Sequence, residues 1–208
     1  MKALILAVAL CGSIAVQAQS DKYVQAVQKS LILLDSAKTT ADLQAASAAF
    51  ERIGDAEKTQ WIPYYYAALA QVRAGFSDKN ADKDVLAGKA LELVNKAEAV
   101  ETNSDLFTIR NMAATLQMTV DPMSRWQTYG AQAATALQNA IKANPENPRI
   151  YYLQGMTAFG TPVQFGGGKD KAKPLFEKAV ALSKTEQVKP LYPHWGGAEA
   201  EKMLPLCQ

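Results

Sequence analysis

A single histidine, His194, and two cysteines, Cys11 and Cys207, are all that this 208-residue chain offers to the commonest metal and nucleophile chemistries. A zinc site needs three or four ligands at compatible spacing, and a histidine-based dyad needs a nucleophile and an orienting carboxylate beside the ring. Neither constellation is present in the sequence, so no metal, cofactor or enzymatic activity is expected. Charge of one sign is lacking as well: 22 basic and 20 acidic residues are interleaved, for a net +2. Without a basic block to neutralise several phosphates, nucleic acid is excluded as the expected partner. Strand signals are scarce, since β-branched residues are scattered and no Asn-Gly or Asp-Gly turn separates apolar runs. Long hydrophobic runs are missing too. The longest, from Ala3 to Val16, is about 14 residues, short of the ~20 that cross a bilayer.

That short run has another reading. Lys2 precedes it and Val16-Gln17-Ala18 follows it, the pattern of a secretory signal cleaved after Ala18. Leu10 is too large for lipoprotein cleavage before Cys11. The expected mature chain is therefore one domain, residues 19–208, exported to the periplasm or outer envelope with no transmembrane span. Cys11 leaves with the signal, and Cys207 reads as a bystander near a frayed terminus.

What is abundant is helical periodicity. Tyr23, Val27, Leu31 and Leu34 fall on one helical stripe, and Leu43, Ala46, Phe50 and Ile53 form another behind a Thr39 cap. Asp121-Pro122 and Asn147-Pro148 each place a capping side chain before a proline suited to the first helical position. Helices are predicted at about 21–37, 39–55, 60–75, 83–101, 105–119, 122–143, 148–160, 171–185 and 197–204.

The second helix of each pair repeats a pattern of alanine, a large apolar residue and a small or apolar one. Ala46/Phe50/Ile53 is followed by Ala90/Val94/Ala97, Ala133/Leu137/Ala140 and Ala172/Phe176/Ala179, beginning 44, 43 and 39 residues apart. Small residues let a neighbouring helix approach, and the bulky one a turn later fills the space between them. This series, with Pro145 after Ala140, resembles the second helix of the tetratricopeptide repeat. Tyr66-Ala67-Ala68-Leu69-Ala70 and Tyr151-Tyr152-Leu153-Gln154-Gly155 approximate its first helix. The resemblance covers about residues 40–185 and implies an all-α, right-handed superhelix (α-solenoid) of about four helix-turn-helix units plus a short C-terminal helix. The units exceed the family's repeat of about 34 residues, the extra residues falling between the two helices of each unit. With its signal peptide, the Phe165-Gly166-Gly167-Gly168-Lys169 insert and Trp195-Gly196, the chain also looks like exported repeat proteins of Bacteroidota, for which no uniform function is implied.

The resemblance implies that first helices line a concave face that binds other proteins. Tyr65, Tyr66, Arg73, Arg110, Asn111, Arg149 and Tyr152 are the candidate partner-binding residues there, because aromatic and arginine side chains concentrate binding energy. The tyrosines have a competing role as core positions of the repeat. Gly166-Gly167-Gly168-Lys169 lacks the strand and the Ser or Thr of a phosphate loop, and reads as a tight turn with Phe165 tucked inward. Glu199/Glu201 and Asp82/Asp84 read as solvated faces. The leading expectation is an exported scaffold binding a protein or peptide on its concave face. The alternative is an envelope ligand-capture protein that holds a peptide or glycan for a transport system, with the tyrosines and Trp61 stacking on a sugar ring.

Overall fold

The computed structural model of the chain describes residues 21–208, so the signal-peptide reading of residues 1–18 lies outside the described residues. Within them the fold is all-helical, with no strand, and no helix is long and apolar enough to cross a membrane. The elements are α1 (21–36), α2 (Thr40–Glu57), α3 (Ile62–Ser77), α4 (Lys83–Glu98), α5 (Ser104–Met118), α6 (Pro122–Arg125), α7 (Ala131–Ala143), α8 (Pro148–Gly160), α9 (Lys169–Thr185) and α10 (Gly197–Met203).

Helix starts follow the capping chemistry. Thr39 and Asp42 form a reciprocal capping box at α2, Asp82 caps α4, Asn103 caps α5 and Asn147 caps α8. The region predicted as one helix over 122–143 differs. A π-helical turn, Trp126–Gly130, joins α6 to α7 without a break in the chain's helical course. A π turn carries more residues than an α turn, so it rotates the side chains before it out of register with those after it. None of the residues of α6 or of the π turn is buried, whereas Ala133, Ala136, Leu137 and Ala140 of α7 are.

The repeating alanines sit where neighbouring helices meet. Ala46, Ala90, Ala133 and Ala172 are buried, as are the large partners Phe50, Val94, Leu137 and Phe176. Glycines set the closest approaches: a Cβ on Gly155 of α8 would lie 2.5 Å from Phe176 of α9, and one on Gly75 of α3 would lie 2.4 Å from Leu116 of α5. First helices therefore touch both their own hairpin partner and the first helix of the next pair. Two apolar cores result, one built from α1 to α5 and one from α7 to the C-terminus, and both Met112 and Trp195 pack against each of them. Cys207 is not a frayed bystander. A final 3-10 turn, Leu204–Cys207, buries its thiol in the second core.

Two consequences can be measured. Gly155→Ala forces Phe176 to move and is expected to cost about 1–3 kcal/mol in urea unfolding, in the range of other overpacked cores. Burial raises the phenols of Tyr23 (to about 12), Tyr65, Tyr66 and Tyr152, so the folded state holds them neutral when the unfolded chain would ionise. The unfolded state then binds fewer protons, and stability falls as pH climbs above about 10, the ordinary phenol value. Circular dichroism paired with phenolate absorbance should show ionisation of these tyrosines arriving together with loss of helix.

Candidate functional site

The residues expected on the first-helix face are largely spoken for by the chain itself. Residues 186–196, between α9 and α10, cross the N-terminal ends of α3 and α8 as a strap. Trp195 donates its indole N–H to the Tyr65 hydroxyl at 2.7 Å, and Tyr66 donates its hydroxyl to the Leu191 carbonyl at 3.1 Å. Tyr192 meets Trp61 edge to face at 5.3 Å, and Trp195 meets Tyr152 in the same way at 6.0 Å. Tyr65, Tyr66 and Trp61 are buried, so none presents a ring to a partner or a sugar.

Arg149 is buried as well. Its Nε donates to Asp105 at 2.6 Å, its Nη2 to Glu186 at 2.5 Å, and its Nη1 to the Trp195 carbonyl at 3.4 Å. Burial pushes the Asp105 carboxyl up, against the guanidinium and the Asn147 amide that favour its charged form. Burial also works against the Arg149 charge, but Asp105 and Glu186 prevail and keep it protonated. Asn111 is buried too, its amide donating to the Ala133 carbonyl at 3.0 Å and so joining α5 to α7. Arg110 is half-buried and spent on Glu98 and Asn95. Of the seven candidates only Arg73 and Tyr152 keep partial exposure without a hydrogen bond of their own. A cavity of about 330 Å³ opens beside the strap, with Asp105, Arg149 and Glu186 in its wall.

The opposite edge of the molecule has the reverse character. Successive helices run antiparallel, so the C-terminal ends of α3, α5 and α8 lie beside the N-terminal ends of α4, α6 and α9. Cross-links confirm the neighbourhood: Lys83 Nζ meets Thr119 Oγ1 at 3.1 Å, Arg125 grips Asp84 at 2.7 and 2.9 Å, and the Gly168 N–H donates to the Ala158 carbonyl at 2.8 Å. Here large apolar side chains face water. Met123 is 86% exposed, Trp126 58% and Phe165 72%. Phe76, Val85, Val120, Met156 and Val163 are exposed in the same band. Phe165 thus projects outward rather than tucking in, while Gly166 and Gly168 adopt the positive φ expected of the turn. Scattered exposed apolar residues need no explanation, but a band of them along one edge makes that edge the candidate site.

Within the band the π turn is the most developed element. It presents Trp126 to solvent and holds Tyr129 half-buried, with the Arg125 guanidinium 5.7 Å from the Tyr129 ring. Gly130 at the end of the turn packs near Met118, whose sulfur would be in ordinary contact, 3.6 Å, with a Cβ at that position. Among the described residues no group of three or more His, Cys, Asp or Glu is placed to hold a metal ion. Trp126 and its neighbours were missed in the sequence because their exposure comes from the π turn, and an uninterrupted α-helix over 122–143 gives no sign of it.

Comparison with known proteins decides the family. The chain is 37% identical to the HusA haemophore from Porphyromonas gingivalis, whose solved structure matches with a TM-score of 0.79, covering 91% of this chain and 92% of that chain. This chain belongs to the HusA family. HusA comes from a Bacteroidota, as the resemblance to exported repeat proteins of that group would have it. No protein-family model matches the sequence, and no curated protein matches it.

The strap's anchorage is open to test. Arg149→Met strands Asp105 and Glu186 without their cation and is expected to cost about 3–5 kcal/mol, as for other broken buried ion pairs. Chemical denaturation of the variant, with Arg149→Lys as a partial rescue, measures it.

Proposed function

We propose that this chain is a ligand-capture protein for haem or a closely similar flat porphyrin, bound along the apolar edge. The observation that carries this reading is the near full-length similarity to a haemophore. The edge supplies chemistry that suits such a cargo. A porphyrin is a broad, flat apolar ring, and the exposed Trp126 ring offers it a stacking surface, with Met123 and Phe165 adding apolar contact area. This takes up the ligand-capture alternative in place of the protein scaffold, and haem in place of a peptide or glycan. The same proposal has the chain exported, so that it meets its ligand outside the cytoplasm, and takes its stacked hairpins as a tetratricopeptide-like superhelix.

The one histidine does not lie on this edge. His194 is exposed on the strap, at the N-terminal ends of the first helices. Absorption titration of residues 19–208 with haem should show a saturable shift of the porphyrin band. Trp126→Ala should weaken binding about tenfold or more, as for an aromatic hot spot, and His194→Ala should leave it unchanged. A titration without saturable change in the unmodified protein would sink the capture reading. A loss of binding in His194→Ala with none in Trp126→Ala would move the site to the strap.

A further inference from the structure

A second cavity, of about 300 Å³, opens inside the apolar edge, between the α3–α4 loop and the end of α5. Lys79, Asp82, Lys83, Asp84, Thr119 and Val120 are in its wall. The wall itself is mostly polar, and exposed apolar side chains flank it: Phe76 lies in the last turn of α3, Val85 in the first turn of α4, and Val120 lines the cavity. Arg125, the last residue of α6 and the one before Trp126, reaches Asp84 in the same wall, so the start of the π turn is tied to the cavity.

Charges in this region are unevenly committed. Asp84 is gripped by both oxygens on Arg125 Nη1. Asp78 accepts from the Asn80 N–H at 2.8 Å and Asp82 from the Val85 N–H at 3.0 Å, each closing a local turn or cap. Among the described residues neither Lys79 nor Lys83 is in an ion pair, and the one bond of the Lys83 ammonium goes to a neutral hydroxyl, that of Thr119. Three carboxylates thus have internal donors, whereas two ammoniums at the cavity keep donors to spare. An ammonium has three N–H bonds, of which Lys83 uses one.

We infer that this cavity is the anion-recognising end of the edge site, where Lys79 and Lys83 receive the carboxylate arms of a macrocycle whose ring lies on Trp126. The inference rests on the porphyrin reading and adds to it the orientation of the ligand: carboxylates toward the α3–α4 loop, ring toward the π turn. It gives the site selectivity for acidic over uncharged macrocycles. Arg125 and Asp84 fix the distance between the two halves of the site, since their ion pair ties the end of α6, where the π turn begins, to the start of α4.

Haem and its dimethyl ester share the ring and differ at the two side arms, where each methyl ester removes a carboxylate charge, so the pair tests this interaction. In the unmodified protein haem should bind about five- to tenfold more tightly than the ester, the range open to two partly exposed ion pairs, and added salt should shrink the gap. Lys79→Gln/Lys83→Gln should bring the two affinities to within about twofold, and Lys79→Arg/Lys83→Arg should retain the preference. Helix content and melting temperature of each variant check that the fold is intact. Equal binding of both ligands by the unmodified protein, or a preference that survives the double glutamine variant, overturns the inference and leaves capture standing. Binding of neither ligand overturns the capture reading and this inference together.

Discussion

The hydrogen bond from the Trp195 indole to the Tyr65 hydroxyl joins residues 130 positions apart, and much else is arranged around it. Tyr65 is fully buried at the start of α3, where an unpartnered hydroxyl would be costly. Trp195 satisfies it and at the same time packs against both apolar cores, one on each side. A stack of helix hairpins gains its cohesion from nearest neighbours, so distant units are ordinarily coupled only through those between them. The strap adds a direct connection from the last hairpin to the second, through Trp195, Tyr192 and the Leu191 carbonyl.

That connection consumes a surface. The aromatic and arginine side chains that would make the first-helix face attractive to an extended peptide are turned on residues 186–196 instead. The Asp105–Arg149–Glu186 arrangement shows the same economy, since a guanidinium buried beneath the strap has an internal acceptor for each of its three nitrogens. Such buried charges are retained only when every member is paired, and here each bond also fixes where the strap lies. The other edge keeps its apolar side chains in solvent, with neither strap nor neighbouring helix covering Trp126, Met123 or Phe165.

The all-helical class, the caps at Thr39, Asn147 and Asp121, and the alanine positions were legible because they depend on short-range chemistry: periodicity, side-chain caps and the small volumes that let helices approach. Tyr65, Tyr66 and Arg149 illustrate what was not legible. Their spacing places them on first helices, but whether that face meets solvent depends on a segment more than 35 residues downstream of Arg149, for which no local signal exists. Trp126 is the converse case. On a regular helix from 122 to 143 its exposure would follow from register, whereas a π turn resets the register inside the helix. Phe165 failed for a related reason. The glycines around it correctly indicated positive φ, but backbone conformation alone does not decide toward which side a loop tip projects.

Repeat length links these findings. The units exceed a repeat of about 34 residues, and the additional chain does not thicken the core. In the third unit it is the extension of the second helix through α6 and the π turn, none of whose residues is buried. In the fourth it is the segment from Thr161 to Gly168, which includes Val163 and Phe165, both largely exposed. Both additions fall where a first helix ends and a second begins, and antiparallel packing brings those positions to one edge. Residues free of packing duty are the ones that can be apolar and exposed without loss to the core. The departure from the shorter repeat is therefore the means by which a stacked-hairpin scaffold, its first-helix face closed by its own strap, comes to expose an apolar edge.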